Sequence, residues 1–255
     1  MLSDVKNKNS LMAVLVGLFG FVISLLYSLT PLIYYSAEEV NTIIDNIGAD
    51  ILRTGVYSSF SAFIFCSISY LIWVKFKDLF SVSKVDKKGI AMILGVGVLC
   101  PILITVLDFL IYFDESPVFN TFVITGLDTL SKVFYNGVLE DIWVRLGFLP
   151  LIIYSFFKVF GLKEEEISEK YYKYGLIFVT LLMFVLQLDT VLTSYVFTAG
   201  ILLRVILLTL IPQFIYNVLF LKYGFKYAVI AHTLFIVMFF LVCPYFVDAV
   251  LLAGI

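Results

Sequence analysis

The sequence predicts an all-α polytopic membrane protein, a bundle of seven to eight transmembrane helices, and three observations predict it. Of its 255 residues 62% are hydrophobic and only 14% charged, with a mean hydropathy of +1.07, far outside the range of soluble globular chains. The apolar residues fall into runs of about 20, the length a helix needs to cross a bilayer. The charged residues collect between those runs, acidic in one loop and lysine-rich in the next. A net charge of −2 with no basic patch excludes a nucleic-acid partner.

The first apolar run, Leu11 to Tyr35, follows a polar start with Lys6 and Lys8. It is too long for a signal-peptide core and is expected to stay as the first span. Ala37 to Gly55 carries Glu38, Glu39, Asp45 and Asp50 against Arg53. Tyr57 to Val74 is the second span, and Lys75 to Gly89 holds Lys75, Lys77, Lys84, Lys87 and Lys88. The bias of basic residues toward cytoplasmic loops places the N-terminus and the lysine loop inside and the acidic loop outside.

Ile90 to Phe113 is the third span, with Pro101 and an intramembrane Asp108. Val118 to Gly137 is interrupted by Asn120, Asp128, Ser131 and Lys132, so it reads as a partly inserted helix or one shielded by its neighbours. Glu140 to Phe160 follows as an apolar helix containing Pro150, then a mixed-charge loop from Gly161 to Tyr174. Leu176 to Leu188 is a span ending in Gln187 and Asp189; Leu192 to Leu221 holds Gly200, Arg204, Pro212, Gln213 and Asn217; Tyr227 to Leu252 is the last span. If Val118 to Gly137 does not cross, the lysines at 163–173 and 222–226 both fall inside, so the charge rule prefers seven full crossings and one partial.

The stretch Leu139-Glu140-Asp141-Ile142-Trp143-Val144-Arg145-Leu146-Gly147-Phe148 sets two acids and an arginine at the head of a segment that otherwise belongs in lipid. Intramembrane ionisable groups are costly and mark function by default. Asp141 and Arg145 are i,i+4 and pair along one face, whereas Glu140 points about 100° away and has no partner in its own helix. The chain's one histidine, His232, lies in an apolar helix; an isolated intramembrane histidine is more often simply hydrogen-bonded in the bundle. Beside an unpaired glutamate it gains a use: Glu140 as base on a water, His232 as donor to a developing oxyanion. A catalytic metal on Glu140, Asp141 and His232 is a minor alternative; no cofactor motif is present. Gln213 and Asn217 read as a packing stripe, and Cys66, Cys100 and Cys243, all in apolar runs, as packing residues.

Three separated pieces resemble the CAAX prenyl protease and bacteriocin-processing (Abi, or CPBP) family of intramembrane endopeptidases. Glu140-Asp141-Ile142-Trp143-Val144-Arg145-Leu146-Gly147 is similar to the family's EExxxR followed by glycine; Phe184 to Leu188 falls where FxxxH is expected; Tyr223 to His232 resembles the run into HxxxN. The likeness covers residues 118–255 as a protease-like core, preceded by three N-terminal spans in residues 1–117. It implies that Glu140 activates water, that His232 stabilises the oxyanion, and that Asp141 and Arg145 support them. The family's second histidine is here Leu188 and its asparagine Ile236, so Gln187 or Asp189 is expected to stand in. The implied substrate is a lipidated or membrane-anchored protein, with membrane lipid as the other partner and the cell membrane as the location. The alternatives are a catalytically inactive relative serving binding, scaffolding or immunity, and a small-solute transporter using Asp108, Asp128 and Arg204.

Overall fold

A computed structural model describes residues 2–34, 49–80, 83–112, 126–161, 169–194 and 199–243. The described residues form seven helical runs and no strand. These are α1 (Leu2–Tyr34), α2 (Ala49–Phe76), α3 (residues 87–112), α4 (126–159), α5 (Glu169–Ser194), α6 (199–223) and α7 (225–242). Each contains a stretch of 18 residues or more that is long and apolar enough to cross a membrane. The chain is therefore a multi-pass membrane protein.

Small residues let α1 and α2 lie close together as an antiparallel pair. Gly20 faces Cys66 and Gly55 faces Ser28, and the hydroxyls of Ser28 and Ser58 are 3.2 Å apart. Without a hydrophobic drive between helices in lipid, such backbone approach and hydroxyl pairing are what hold two spans together.

The loops rich in lysine share one end of the bundle. The backbone N–H of Ser83 donates to Lys222 at 2.9 Å, tying the α2–α3 loop to the α6–α7 turn. Phe76 packs on Tyr154 with ring centroids 4.3 Å apart, bringing in the end of α4, and Phe80 meets Tyr172 near the start of α5. Lys75, Lys158, Lys222 and Lys226 lie 4.7 to 5.5 Å from neighbouring aromatic rings at this end. That is the belt expected where lysine and aromatic side chains meet the membrane surface.

At the opposite end Lys132 of α4 lies over Phe240 of α7, and the second half of α3 packs against the same part of α7. The end of α3 and the start of α4 thus share a side. Among the described residues seven helices are long and apolar enough to cross, within the seven to eight expected. Residues 118–125 lie outside the described residues. From Gly126 onward, however, the helix runs unbroken through Val159. The charged stretch is accordingly not at the head of a span: the span begins at Leu130, ten residues before Glu140. The weak hydropathy of this segment has a physical reason, since Ser131 and Gly137 are buried against protein rather than lipid.

One feature of the lysine-rich end titrates. Asp86 caps α3 by accepting from the Gly89 backbone at 2.8 Å and accepts from the Tyr223 hydroxyl at 2.5 Å. The Tyr223 hydrogen bond, then the Gly89 one, hold its carboxyl below the usual value. A depressed carboxylate contributes stability above its unfolded value, about pH 3.9, and that contribution is lost as pH falls through the lower folded value. Asp86→Asn is therefore expected to lower the midpoint of thermal unfolding at pH 7, with an offset from the parent protein that shrinks as pH falls below about 3.9; an offset that does not shrink would disprove the clasp.

Candidate functional site

The site is assembled on three helices that meet in the middle of the bundle: α4, α6 and α7. In α4 two π-helical segments, Tyr135–Leu139 and Ile142–Phe148, bracket Glu140 and Asp141. Such insertions recur at functional sites, because the extra residue re-aims the side chains beside it. Trp143 anchors this part of α4 to α2 through Nε1, which donates to Cys66 Sγ at 3.1 Å. Tyr135 stacks on Tyr27 of α1 with centroids 4.3 Å apart.

Glycines set α7 against this stretch. A Cβ at Gly137 would lie 3.1 Å from the Cα of Thr233, and one at Gly97 of α3 would lie 2.9 Å from Leu234. The residues flanking His232 on its helix are thus clamped between α3 and α4, and close backbone approach brings the imidazole onto Asp141.

Asp141 is the hub. Its Oδ1 accepts from Arg145 Nη1 and lies 2.7 Å from His232 Nδ1. Asp141 and Arg145 are both 0% exposed, so neither charge has water to fall back on. Arg145 Nη2 also donates to Gln213 Oε1 at 2.9 Å, and its guanidinium carbon lies 5.2 Å from the centre of the Tyr216 ring. That ring stacks on His232 at 4.6 Å and 25°. Asn217 continues the stripe outward, donating to Thr180 of α5 at 3.0 Å.

Glu140 makes no hydrogen bond or ion pair with any described residue, although His232, Asp141 and Arg145 all act on its charge. It keeps accessible surface deep within the span. The sealed polar atoms without a partner among the described residues are Ser67 Oγ, Asp141 Oδ2, Arg145 Nε, Gln213 Nε2, Tyr216 OH and Asn217 Oδ1. The supporting Asp141–Arg145 pair is sealed and His232 is itself buried, 6% exposed, while Glu140 is half-buried.

A carboxylate only accepts, so the hydrogen on His232 Nδ1 belongs to the bond with Asp141. Neutral His232 therefore offers a lone pair at Nε2, and protonated His232 offers a donor there.

Of the residues singled out in the sequence, Glu140, Asp141, Arg145 and His232 come together. Gln187 makes no hydrogen bond with a described residue; its helix, α5, packs chiefly on the 149–159 half of α4 and on α6. The side chains of Asp189, Asp108 and Asp128 lie outside the described residues. Among the described residues no three of His, Cys, Asp and Glu are grouped as metal ligands. Cys66, Cys100 and Cys243 are free thiols, buried or half-buried. Gln213 and Tyr216 belong to the site without having been expected there. The only sequence signal was the polar i,i+4 pair Gln213 and Asn217, with Tyr216 on the same face.

No family model, curated protein or solved structure matches this chain.

Proposed function

We propose that the protein is a divergent CAAX-protease-like intramembrane endopeptidase acting on a lipidated or membrane-anchored substrate. The observation that supports it is the division of the cluster: a sealed Asp141–Arg145 pair holds the buried His232 by Nδ1, while Glu140 is half-buried and makes no hydrogen bond or ion pair with a described residue. In this reading Glu140 takes a proton from a water, which attacks the peptide carbonyl. Imidazolium His232 donates from Nε2 to the oxyanion, and Asp141 stabilises the positive ring. The proton on Glu140 then passes to the leaving amine.

A second reading has its own observation. Leu188 and the buried Ile236 occupy the places where the resemblance expects a histidine and an asparagine, which favours an inactive relative that binds or scaffolds within the cell membrane. The purified protein in proteoliposomes, given a dye-quenched peptide with a prenylated cysteine or a membrane-anchored peptide without one, separates the two. The peptidase reading expects cleavage that falls ~10²–10⁴-fold in both Glu140→Gln and His232→Gln. Cleavage that both variants retain in full would sink it, and no cleavage of either peptide by the parent protein favours the second reading.

A further inference from the structure

We infer that Tyr216 is a positioning residue that, together with Asp141, fixes the plane and the proton of the His232 imidazole. One hydrogen bond at Nδ1 holds one atom of the ring but leaves the ring free to swing about that contact. A second constraint is needed to aim Nε2. Tyr216 supplies it: the two rings lie 4.6 Å apart and 25° from parallel, within the range of offset aromatic stacking. Tyr216 is itself immobilised, being 2% exposed and lying against the Arg145 guanidinium, which Gln213 holds in turn. The chain of contacts therefore runs from α6 through Tyr216 to α7, and from α4 through Asp141 to the same imidazole.

The ring of Tyr216 does this, and its hydroxyl does not. The hydroxyl is sealed and without a partner, and an unsatisfied buried hydroxyl adds nothing that its removal could take away. Tyr216→Phe keeps the stacking face and removes the orphan, whereas Tyr216→Leu and Tyr216→Met keep apolar bulk and lose the plane. The groups that bear on His232 are Glu140, Asp141 and Arg145 from α4 and Tyr216 from α6. The orientation stands on this geometry alone; its consequence for cleavage rests on the peptidase reading.

The chain contains one histidine, so imidazole NMR of histidine-labelled protein needs no assignment. The full chain, purified without a histidine tag into lipid nanodiscs, is expected to show a single imidazole. In its neutral form that imidazole carries its proton on Nδ1, with the downfield shift of a proton bonded to carboxylate. Tyr216→Phe should reproduce that spectrum. Tyr216→Leu and Tyr216→Met should lose the downfield proton and show both tautomers. A neutral ring protonated on Nε2 in the parent protein overturns the proposal even if neither variant folds, and so does a parental spectrum in either folded variant. Where the parent protein cleaves peptide, Tyr216→Leu should lower kcat with KM unchanged. A parent protein that cleaves nothing, with the NMR result as expected, overturns the peptidase reading and leaves the positioning role intact.

Discussion

Asp141→Leu is expected to be the most damaging single substitution in the site, costing about 3–5 kcal/mol, the usual consequence of removing one partner from a buried ion pair. Arg145 is fully buried, and its Nε already lacks a partner. Without Asp141 the guanidinium keeps only Gln213 and the face of Tyr216, neither of which carries charge. Arg145→Met is milder for a reason visible in the geometry: Asp141 then keeps its hydrogen bond with His232, whereas Asp141→Leu leaves the buried guanidinium with no carboxylate partner. The double variant Asp141→Leu/Arg145→Met removes both charges and should recover much of the loss, because the penalty is for an uncompensated charge rather than for the absence of a contact. Unfolding in mixed micelles as denaturing detergent is added measures all three. If the double variant is as unstable as the sum of the two single ones, the pair does not act as a unit.

Much of this fold could be read before any coordinates because the bilayer reduces the alternatives. A span must be a helix of sufficient length, and lysine placement fixes which loops share a side; the contacts of Ser83 with Lys222 and of Phe76 with Tyr154 agree with that placement. The Asp141–Arg145 pair was equally legible, since spacing of four residues is a local rule. What connects residues 91 apart, as His232 and Asp141 are, has no periodic signature; only the cost of ionisable groups in lipid and the resemblance put them in one site. The error over the start of α4 has the same root. Hydropathy registers that Ser131 and Lys132 are polar, but not that protein lies beside them. Tyr216 was hidden for the opposite reason: a tyrosine in an apolar helix looks like one more member of the interfacial belt, and its stacking on His232 depends on where α6 crosses α7.

Glu140→Gln should separate function from stability more sharply than any other change. The side chain has no hydrogen bond or ion pair to lose, and it places a charge inside a span where every charge is costly. The isosteric amide removes that charge without removing volume. Its unfolding transition is therefore expected to lie at or above that of the parent protein, within about 0.5 kcal/mol on the destabilising side. Asp141→Asn, one residue along, disrupts the bonds to Arg145 and His232 and should fall clearly below. A half-buried carboxylate that stability does not require, with no described partner and set next to the Asp141–His232 pair, is what a site under selection for chemistry or binding looks like, since such sites give up stability. Mixed-micelle unfolding of Glu140→Gln and Asp141→Asn side by side decides it: a Glu140→Gln as unstable as Asp141→Asn makes Glu140 part of the scaffold, and the proposed division between the sealed Asp141–Arg145 support and Glu140 fails.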